Sequence, residues 1–142
     1  MDYSIRAYLR NEKIYLQAYS LVVKNGISSV LTLHGPVSIF EVTEQEELIG
    51  RGILEKFKDC GIVEEMPSEH QILKATGAKT WNALEKTSKS IGARLVDNNV
   101  IFTPYKYAGR SGYLHLNEKA LTSDLAPENL GKALLDAFKR CE

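Results

Sequence analysis

The order of hydrophobic and polar residues predicts strands at the start of the chain. Residues 4–10, "SIRAYLR", alternate apolar Ile5, Ala7 and Leu9 with larger polar side chains, and 13–23, "KIYLQAYSLVV", resume the alternation after a polar "NEK". A period of two is typical of half-buried strands, so these segments form a predicted hairpin. After "KNG", the segments "SSVLTLH" and "PVSIFEV" predict a second hairpin about "HGP". Four strands are therefore expected at the start.

A helical period follows and is written twice in the chain. Thr43 and Glu46 form a predicted capping box ahead of residues 48–60, "LIGRGILEKFKDC", and residues 129–141 read "NLGKALLDAFKRC". Both copies have Gly, Leu, Phe, Lys and Cys at the same spacing, including Gly50 with Gly131. A glycine inside a helix costs about 1 kcal/mol relative to alanine. Its repetition predicts two equivalent helices, each lying close against a sheet.

The remaining segments complete a predicted α+β fold. Residues 62–90 read as a helical insert, with helix starts at Ser68 and Thr80 and a terminating Gly77. Strands are expected again in 90–96 and 100–107, then a loop over 108–112, short strands, and a final helix with Pro127 in its first turn. We expect one domain, 1–142, built from two antiparallel sheets of about four strands, each followed by a helix: a first half at 1–61 and a second at 91–142.

Composition restricts the possible functions. Eighteen basic and eighteen acidic residues give no net charge, which disfavours a dedicated duplex-DNA binder. No apolar run approaches the roughly 18 residues that span a membrane. The start alternates instead of forming an apolar block, so we expect no secretory signal and a cytoplasmic location.

Charge is unevenly distributed along the chain. Residues 41–70 contain nine acidic and three basic residues, whereas 71–113 contain seven basic and two acidic ones. The acidic segment is either a set of solvated helix faces or a surface that meets a basic partner. Under the second interpretation, the candidate partner-binding residues are Glu44, Glu47, Asp59, Glu64, Glu65 and Glu69.

No pattern of catalytic or metal-binding residues stands out. Cys60 and Cys141 fall on the apolar sides of the two equivalent helices, so we interpret them as small buried hydrophobic residues. The three histidines form no metal-binding motif, and the chain has neither a GxSxG nucleophile motif nor a complete phosphate-binding fingerprint. We expect no enzyme activity, no metal and no cofactor.

One face of the first hairpin combines arginine with tyrosine. The predicted pairing places five such side chains on the face opposite the apolar one: Arg6, Tyr8, Arg10, Tyr15 and Tyr19. Tyr105 and Tyr107 could extend this surface. Such a face suits single-stranded nucleic acid, where bases stack on aromatic rings. It suits a protein interface equally well, and a helix of the same domain could also cover it.

Several segments, taken in order, resemble the CdiI immunity proteins of bacterial contact-dependent growth inhibition. They are "IRAYLRNEKIYLQAYS", "GPVSIFEVTEQEELIGRGILEKF", "ILKATGAKTWNAL", "VIFTPYKYAGRSGYLHLNEKAL" and "PENLGKALLDAF". The resemblance implies a cytosolic, non-catalytic protein that binds the C-terminal toxin domain of a cognate CdiA protein, commonly a nuclease. It also implies a Whirly-like fold, and it transfers no contact residues.

The leading hypothesis is thus an immunity protein that uses the acidic segment to block a basic nuclease toxin, which we expect to be a ribonuclease. The alternative is a single-stranded nucleic-acid binder that uses the arginine and tyrosine face. A third possibility is a structural subunit that associates with itself through an apolar sheet edge.

Overall fold

A computed structural model of the chain describes residues 3–109 and 112–142, and the centre of the predicted 108–112 loop, Arg110 and Ser111, lies outside this part. Its strands are β1 (Tyr3–Arg10), β2 (Lys13–Lys24), β3 (Ile27–Glu41), β4 (Gly61–Val63), β5 (Lys89–Val96), β6 (Asn99–Tyr107), β7 (Tyr113–His115) and β8 (Leu121–Ser123). Its α-helices are α1 (Glu46–Phe57), α2 (Gln71–Thr76), α3 (Trp81–Thr87) and α4 (Pro127–Lys139), and a 3-10 helix spans Asn117–Lys119. The fold is α+β, as the sequence predicts.

The described strands form one eight-stranded sheet, so the prediction of two separate Whirly-like sheets is wrong in this respect. The order is β3-β2-β1-β5-β6-β7, with β4 parallel to β2 and β8 antiparallel to β6. The two halves join because β1 and β5 pair antiparallel from Tyr3 opposite Leu95 to Leu9 opposite Lys89. This pairing uses the free edge that each separate sheet would have exposed.

The second predicted hairpin of the first half is also wrong, because β3 is one long strand that pairs with β2 on both sides of "HGP". The register shifts at this point, between Leu16 and Ala18 of β2. The bulged backbone is held by side chains: Gln17 Nε2 donates to the Gly35 carbonyl at 2.8 Å, and Lys56 Nζ donates to the Pro36 carbonyl at 2.9 Å. These bonds satisfy carbonyls that have left the ladder, so the strand continues instead of turning.

Helices α1 and α4 pack side by side on one face of the sheet. A Cβ added at Gly50 would overlap the Pro127 carbonyl, and one added at Gly131 would overlap the Glu46 carbonyl. The repeated glycines therefore let the two helices touch each other's backbone, and the predicted contact with a sheet is wrong for this pair. The neighbouring Gly52 does lie against the sheet, facing the Phe40 ring of β3.

The helix boundaries confirm some sequence signals and correct others. Thr80 caps α3 by accepting from the Ala83 N–H, Pro127 begins α4, and Gly77 ends α2 in the left-handed conformation. Helices α1 and α2 begin later than predicted, after Gln45 and His70, and neither has a side-chain cap. The capping boxes from Thr43 and Ser68 are therefore not formed. The stability of these two helices comes from packing of their apolar faces.

The main core lies between the sheet and the α1–α4 pair. It contains the inward residues of four central strands and both helices, including Ile5, Leu16, Ile91, Phe102 and Phe138. On the opposite face, α2 and α3 cover Tyr8 and Tyr15 together with Ile72, Ala78 and Leu84. These two short helices cover only part of that face. We call the remainder, around Tyr19, Leu31, Gly92 and Tyr113, the open face.

Candidate functional site

The predicted arrangement of arginine and tyrosine on one face of the first hairpin is confirmed. Arg6 lies opposite Gln17 and Tyr8 opposite Tyr15 across the β1–β2 pair, so their side chains share the face away from α1 and α4. Two of these side chains are not available at the surface, because Arg6 and Tyr8 are each only 1% exposed.

Arg6 is the centre of a buried polar cluster that joins both halves and the insert. Its Nη1 donates to the Tyr19 hydroxyl at 3.1 Å and to the Tyr113 hydroxyl at 2.7 Å. Its Nη2 donates to a Glu85 carboxylate oxygen at 2.9 Å and to Ser90 Oγ at 2.9 Å. Glu85 also accepts from the Tyr8 hydroxyl at 2.8 Å. A buried charge is tolerated when it is paired and hydrogen-bonded in this way.

Aromatic rings enclose the guanidinium from the sides. The ring centroids of Tyr105 and Tyr113 lie 4.3 and 4.1 Å from the Arg6 guanidinium carbon, within the range of cation–π attraction. Tyr105 stacks in turn on His115, with centroids 4.4 Å apart. Gly92 makes room for this arrangement, since a Cβ there would overlap the Tyr105 hydroxyl.

The cluster shifts the titration of its members. Burial raises the pKa of Tyr8 and Tyr19 above the ordinary value, and it raises the pKa of Tyr105 to about 12. Burial alone would lower the pKa of Arg6, but the surrounding tyrosine and glutamate oxygens outweigh it and leave that pKa raised. Burial and the Arg6 charge lower the pKa of His115. The cluster is therefore an arginine–glutamate ion pair among neutral phenols at neutral pH.

The other residues of the predicted binding face are engaged within the chain. Tyr15 packs beneath α2 and α3 with Tyr8. Arg10 donates to the Thr76 carbonyl of α2 and to the Thr87 hydroxyl of α3. The arginine charges are thus engaged by Glu85 and by the insert.

A cleft of about 560 Å³ opens between the β2–β3 hairpin and the insert. Its floor is the Arg6 cluster, and its walls include Leu31, Leu33, Met66 and Trp81. Trp81 meets His70 edge to face at 5.1 Å between centroids, and Asn82 beside it accepts from the Tyr107 hydroxyl at 2.6 Å. This is the kind of concave, mostly apolar surface that binds ligands or partner side chains.

Several residues of the cluster and cleft were not singled out from the sequence: Glu85, Ser90, Tyr113, Trp81 and Met66. A signal existed for Glu85, because it is one of two acidic residues in 71–113 and the predicted face offered it unpaired arginines. Met66 and Trp81 carried no such signal, since their exposure on one wall depends on how the insert folds back.

The six acidic candidate residues lie in different regions. Glu44 and Glu47 are at the start of α1, where Glu47 pairs with Arg51 at 2.6 Å, and Asp59 follows the helix end, paired with buried Lys56 at 3.0 Å. The two ends of this 12-residue helix lie about 18 Å apart. The other three, Glu64, Glu65 and Glu69, belong to the exposed segment that also supplies Met66 to the cleft. Their role in binding stays a prediction.

Within the described ranges, no group of three or more histidine, cysteine or acidic side chains is placed to hold a metal ion. Cys60 and Cys141 are free thiols whose Sγ atoms lie 3.2 Å from the Ser4 carbonyl and 3.4 Å from the Ser90 carbonyl. Burial raises the pKa of both thiols. None of the described helices has the length and apolar character to cross a membrane.

Comparison with known proteins adds family and fold information. A family model described as "CDI immunity protein" matches residues 64–141, more than half of the chain. A protein of unknown function from Neisseria meningitidis, NMB0488, matches at a TM-score of 0.76 with 17% identity, covering 100% of this chain and 96% of that one. A chain of the CdiA-CT/CdiI toxin and immunity complex from Yersinia pseudotuberculosis matches at 0.72 with 14% identity, covering 100% and 98%. No curated protein matches the sequence.

Proposed function

The chain belongs to the CdiI family of CDI immunity proteins, and from this premise we propose that it binds and neutralises the C-terminal toxin domain of a cognate CdiA protein in the cytoplasm. The family match over residues 64–141 carries the proposal. We propose further that the chain acts by binding alone, as an inhibitor and not as an enzyme.

The finer part of the proposal concerns the toxin. We infer that it is a nuclease with a basic surface, because the segment 41–70 has six more acidic than basic residues. Enzymes that bind nucleic acid present positive potential to phosphates, and an inhibitor of opposite sign approaches them faster. The candidate contacts remain Glu44, Glu47, Asp59, Glu64, Glu65 and Glu69.

Growth protection is the direct test. The probe is the C-terminal toxin domain of the cognate CdiA protein, expressed from an inducible promoter with or without the chain. We expect growth arrest by the toxin domain alone, rescue by co-expression, and a one-to-one complex by calorimetry. A toxin domain from an unrelated CDI system is the control, and this chain should not rescue cells from it.

Separate outcomes test the separate parts of the proposal. Failure of rescue together with absence of a complex would contradict the immunity role. Intact RNA and DNA in the arrested cells would contradict only the nuclease part. Binding of mixed oligonucleotides by the chain alone, below the high micromolar range at moderate salt, would instead support the single-stranded nucleic-acid alternative.

A further inference from the structure

Apolar side chains form a partly exposed strip on the open face, with half-buried Leu21 at its centre. Leu21 of β2 lies opposite Leu31 of β3 on one side and Ile62 of β4 on the other, so the three are neighbours across three strands. Ile62 is 63% exposed and Leu31 44%. Single exposed hydrophobic residues are ordinary, but a contiguous set is a mark of interaction sites.

The strip continues into the cleft. Leu31 lines the cleft, and Met66, which is 54% exposed, lies on its wall with Trp81. Methionine adapts its shape to a partner, and tryptophan contributes large contact area. At about 560 Å³ the cleft has the volume of pockets that enclose a small ligand, and it can take a large projecting side chain.

Acidic side chains border the strip and the cleft. Glu64 and Glu65 line a shallow groove together with Ile62 and the β2–β3 turn, and Glu69 directly precedes His70 of the cleft wall. All three are exposed; within the described residues Glu64 and Glu65 take part in no ion pair, and Glu69 forms an exposed pair with Lys74 at 3.8 Å. The charges of Glu64 and Glu65 are therefore available to a partner, whereas Glu47 and Asp59 are already paired with basic residues.

The acidic residues on and beside α1 lie on the opposite side of the sheet from Glu64, Glu65 and Glu69. Helix α1 packs with α4 on the core face of the sheet, and the strip and cleft belong to the open face. A partner docked on the open face lies on the opposite side of the sheet from α1. Position in the fold thus separates candidate residues that the sequence places in one segment.

On the basis of the proposed function, we propose that the toxin docks on the open face, over the strip of Leu21, Leu31 and Ile62 and the adjoining cleft. The matching toxin surface carries lysine or arginine around a projecting aliphatic or aromatic side chain, which enters the cleft. Glu64, Glu65 and Glu69 form the acidic rim that guides the approach. Interfaces combine an apolar centre with a polar rim in this way, and the centre carries most of the affinity.

The acidic rim is tested by charge reversal with a matched control. The rim variant is E64K/E65K/E69K, and the control is E55K/E128K/D136K, which changes the net charge equally on the side of α1 and α4. With the toxin domain as partner, we expect the association rate at low salt to fall about tenfold for the rim variant and at most about twofold for the control. Raising the salt concentration should reduce the difference. Equal losses would mean that net charge alone matters and would overturn the location.

The apolar centre is tested by truncation of exposed leucines. Leu31→Ala and Leu48→Ala remove the same group at residues that are 44% and 45% exposed, the second on α1. We expect Leu31→Ala to raise Kd about tenfold through faster dissociation, and Met66→Ala to act in the same direction. Leu48→Ala should stay within about twofold of the original chain, and all three should keep its thermal stability.

The outcomes distinguish this inference from the proposed function. If the original chain binds and protects, but the rim and strip variants do so equally well, the open face is not the docking surface and the immunity role stands. If the charge-reversal control on α1 and α4 loses binding and the rim variant does not, the toxin docks on the side of these two helices. If the original chain does not bind the toxin domain at all, the proposed function fails first.

Discussion

At the scale of single residues, the molecule depends on one buried charge. The Arg6 guanidinium is surrounded by six side chains: Tyr8, Tyr19, Glu85, Ser90, Tyr105 and Tyr113. Such a network fixes geometry as well as adding stability, because each partner must lie at a set position. It also attaches α3 to the sheet, since Glu85 is the ion-pair partner.

Removing one member of this pair should cost more than removing both. We expect Glu85→Ala to lower the free energy of unfolding by about 3–5 kcal/mol, because it leaves the Arg6 charge buried and unpaired. The Arg6→Met change should cost less, and R6M/E85A should be more stable than Glu85→Ala alone. Urea unfolding of the four proteins measures this coupling.

The exposed pair of Glu47 and Arg51 provides the control for that cycle. Both side chains are more than half exposed, so the same double-mutant cycle on this pair should give no measurable coupling. Purely additive losses at Arg6 and Glu85 would contradict the role assigned to the buried pair.

At the scale of elements, the repeated helix is explained by the α1–α4 crossing. Each glycine faces the first-turn carbonyl of the other helix, Gly50 at Pro127 and Gly131 at Glu46, so the contact is reciprocal. The matching cysteines follow the same relation, with Cys60 Sγ near the β1 backbone and Cys141 Sγ near the β5 backbone. The repetition therefore preserves packing and carries no chemistry of its own.

A methyl group at the crossing should separate the helices. Gly131→Ala places Cβ against backbone, which cannot move aside as a flexible side chain can, so we expect a loss of about 1–3 kcal/mol or more. Gly61→Ala is the matched control, since a Cβ there meets nothing within 4 Å, and its effect should stay within about 0.5 kcal/mol. Denaturant midpoints check both, and equal stability of the two variants would contradict the close contact.

At the scale of the whole molecule, the two halves share one sheet and one polar cluster. The opening "SIRAYL" of β1 corresponds to "SIGARL" of β5, with Ser, Ile, Ala and Leu at the same spacing, and Arg6 pairs in register with Gly92. The two halves thus meet where an arginine of one faces a glycine of the other. Tyr19 comes from the first half, Tyr105 and Tyr113 from the second, and Glu85 from the insert.

Because this cluster spans the molecule, its titration should act on global stability. The pKa values of Tyr8, Tyr19 and Tyr105 are raised in the folded chain, so the unfolded chain loses these protons first as pH rises. Stability from this source is complete below about pH 10 and falls as pH rises towards 12 and above. Each tyrosine contributes a slope of about 1.4 kcal/mol per pH unit in that window.

Unfolding measured between pH 8 and 12 checks this expectation. Tyr105→Phe should flatten the alkaline slope by about one tyrosine's contribution, whereas Tyr3→Phe, at an exposed position, should leave it unchanged. A slope that is the same in all three proteins would mean that the cluster does not control alkaline unfolding.

Local patterns in the sequence were enough for the α+β class, most of the strands, the two equivalent helices and the shared face of Arg6, Tyr8 and Tyr15. Alternation and helical period act within a few residues, and for that reason they can be read from the chain alone. The family resemblance could likewise be drawn from ordered segments, and the match over residues 64–141 confirms it.

Other features required contacts between distant residues. The single sheet depends on the β1–β5 pairing, the continuous β3 depends on Gln17 and Lys56 bonding its bulge, and the burial of Arg6 depends on Glu85 of the insert. The positions of the acidic residues also depend on the fold, because α1 and the cleft wall place them on opposite faces of the sheet. Each of these features is stabilised by contacts between side chains or strand edges that meet only after folding. No short stretch of sequence contains both partners of such a contact.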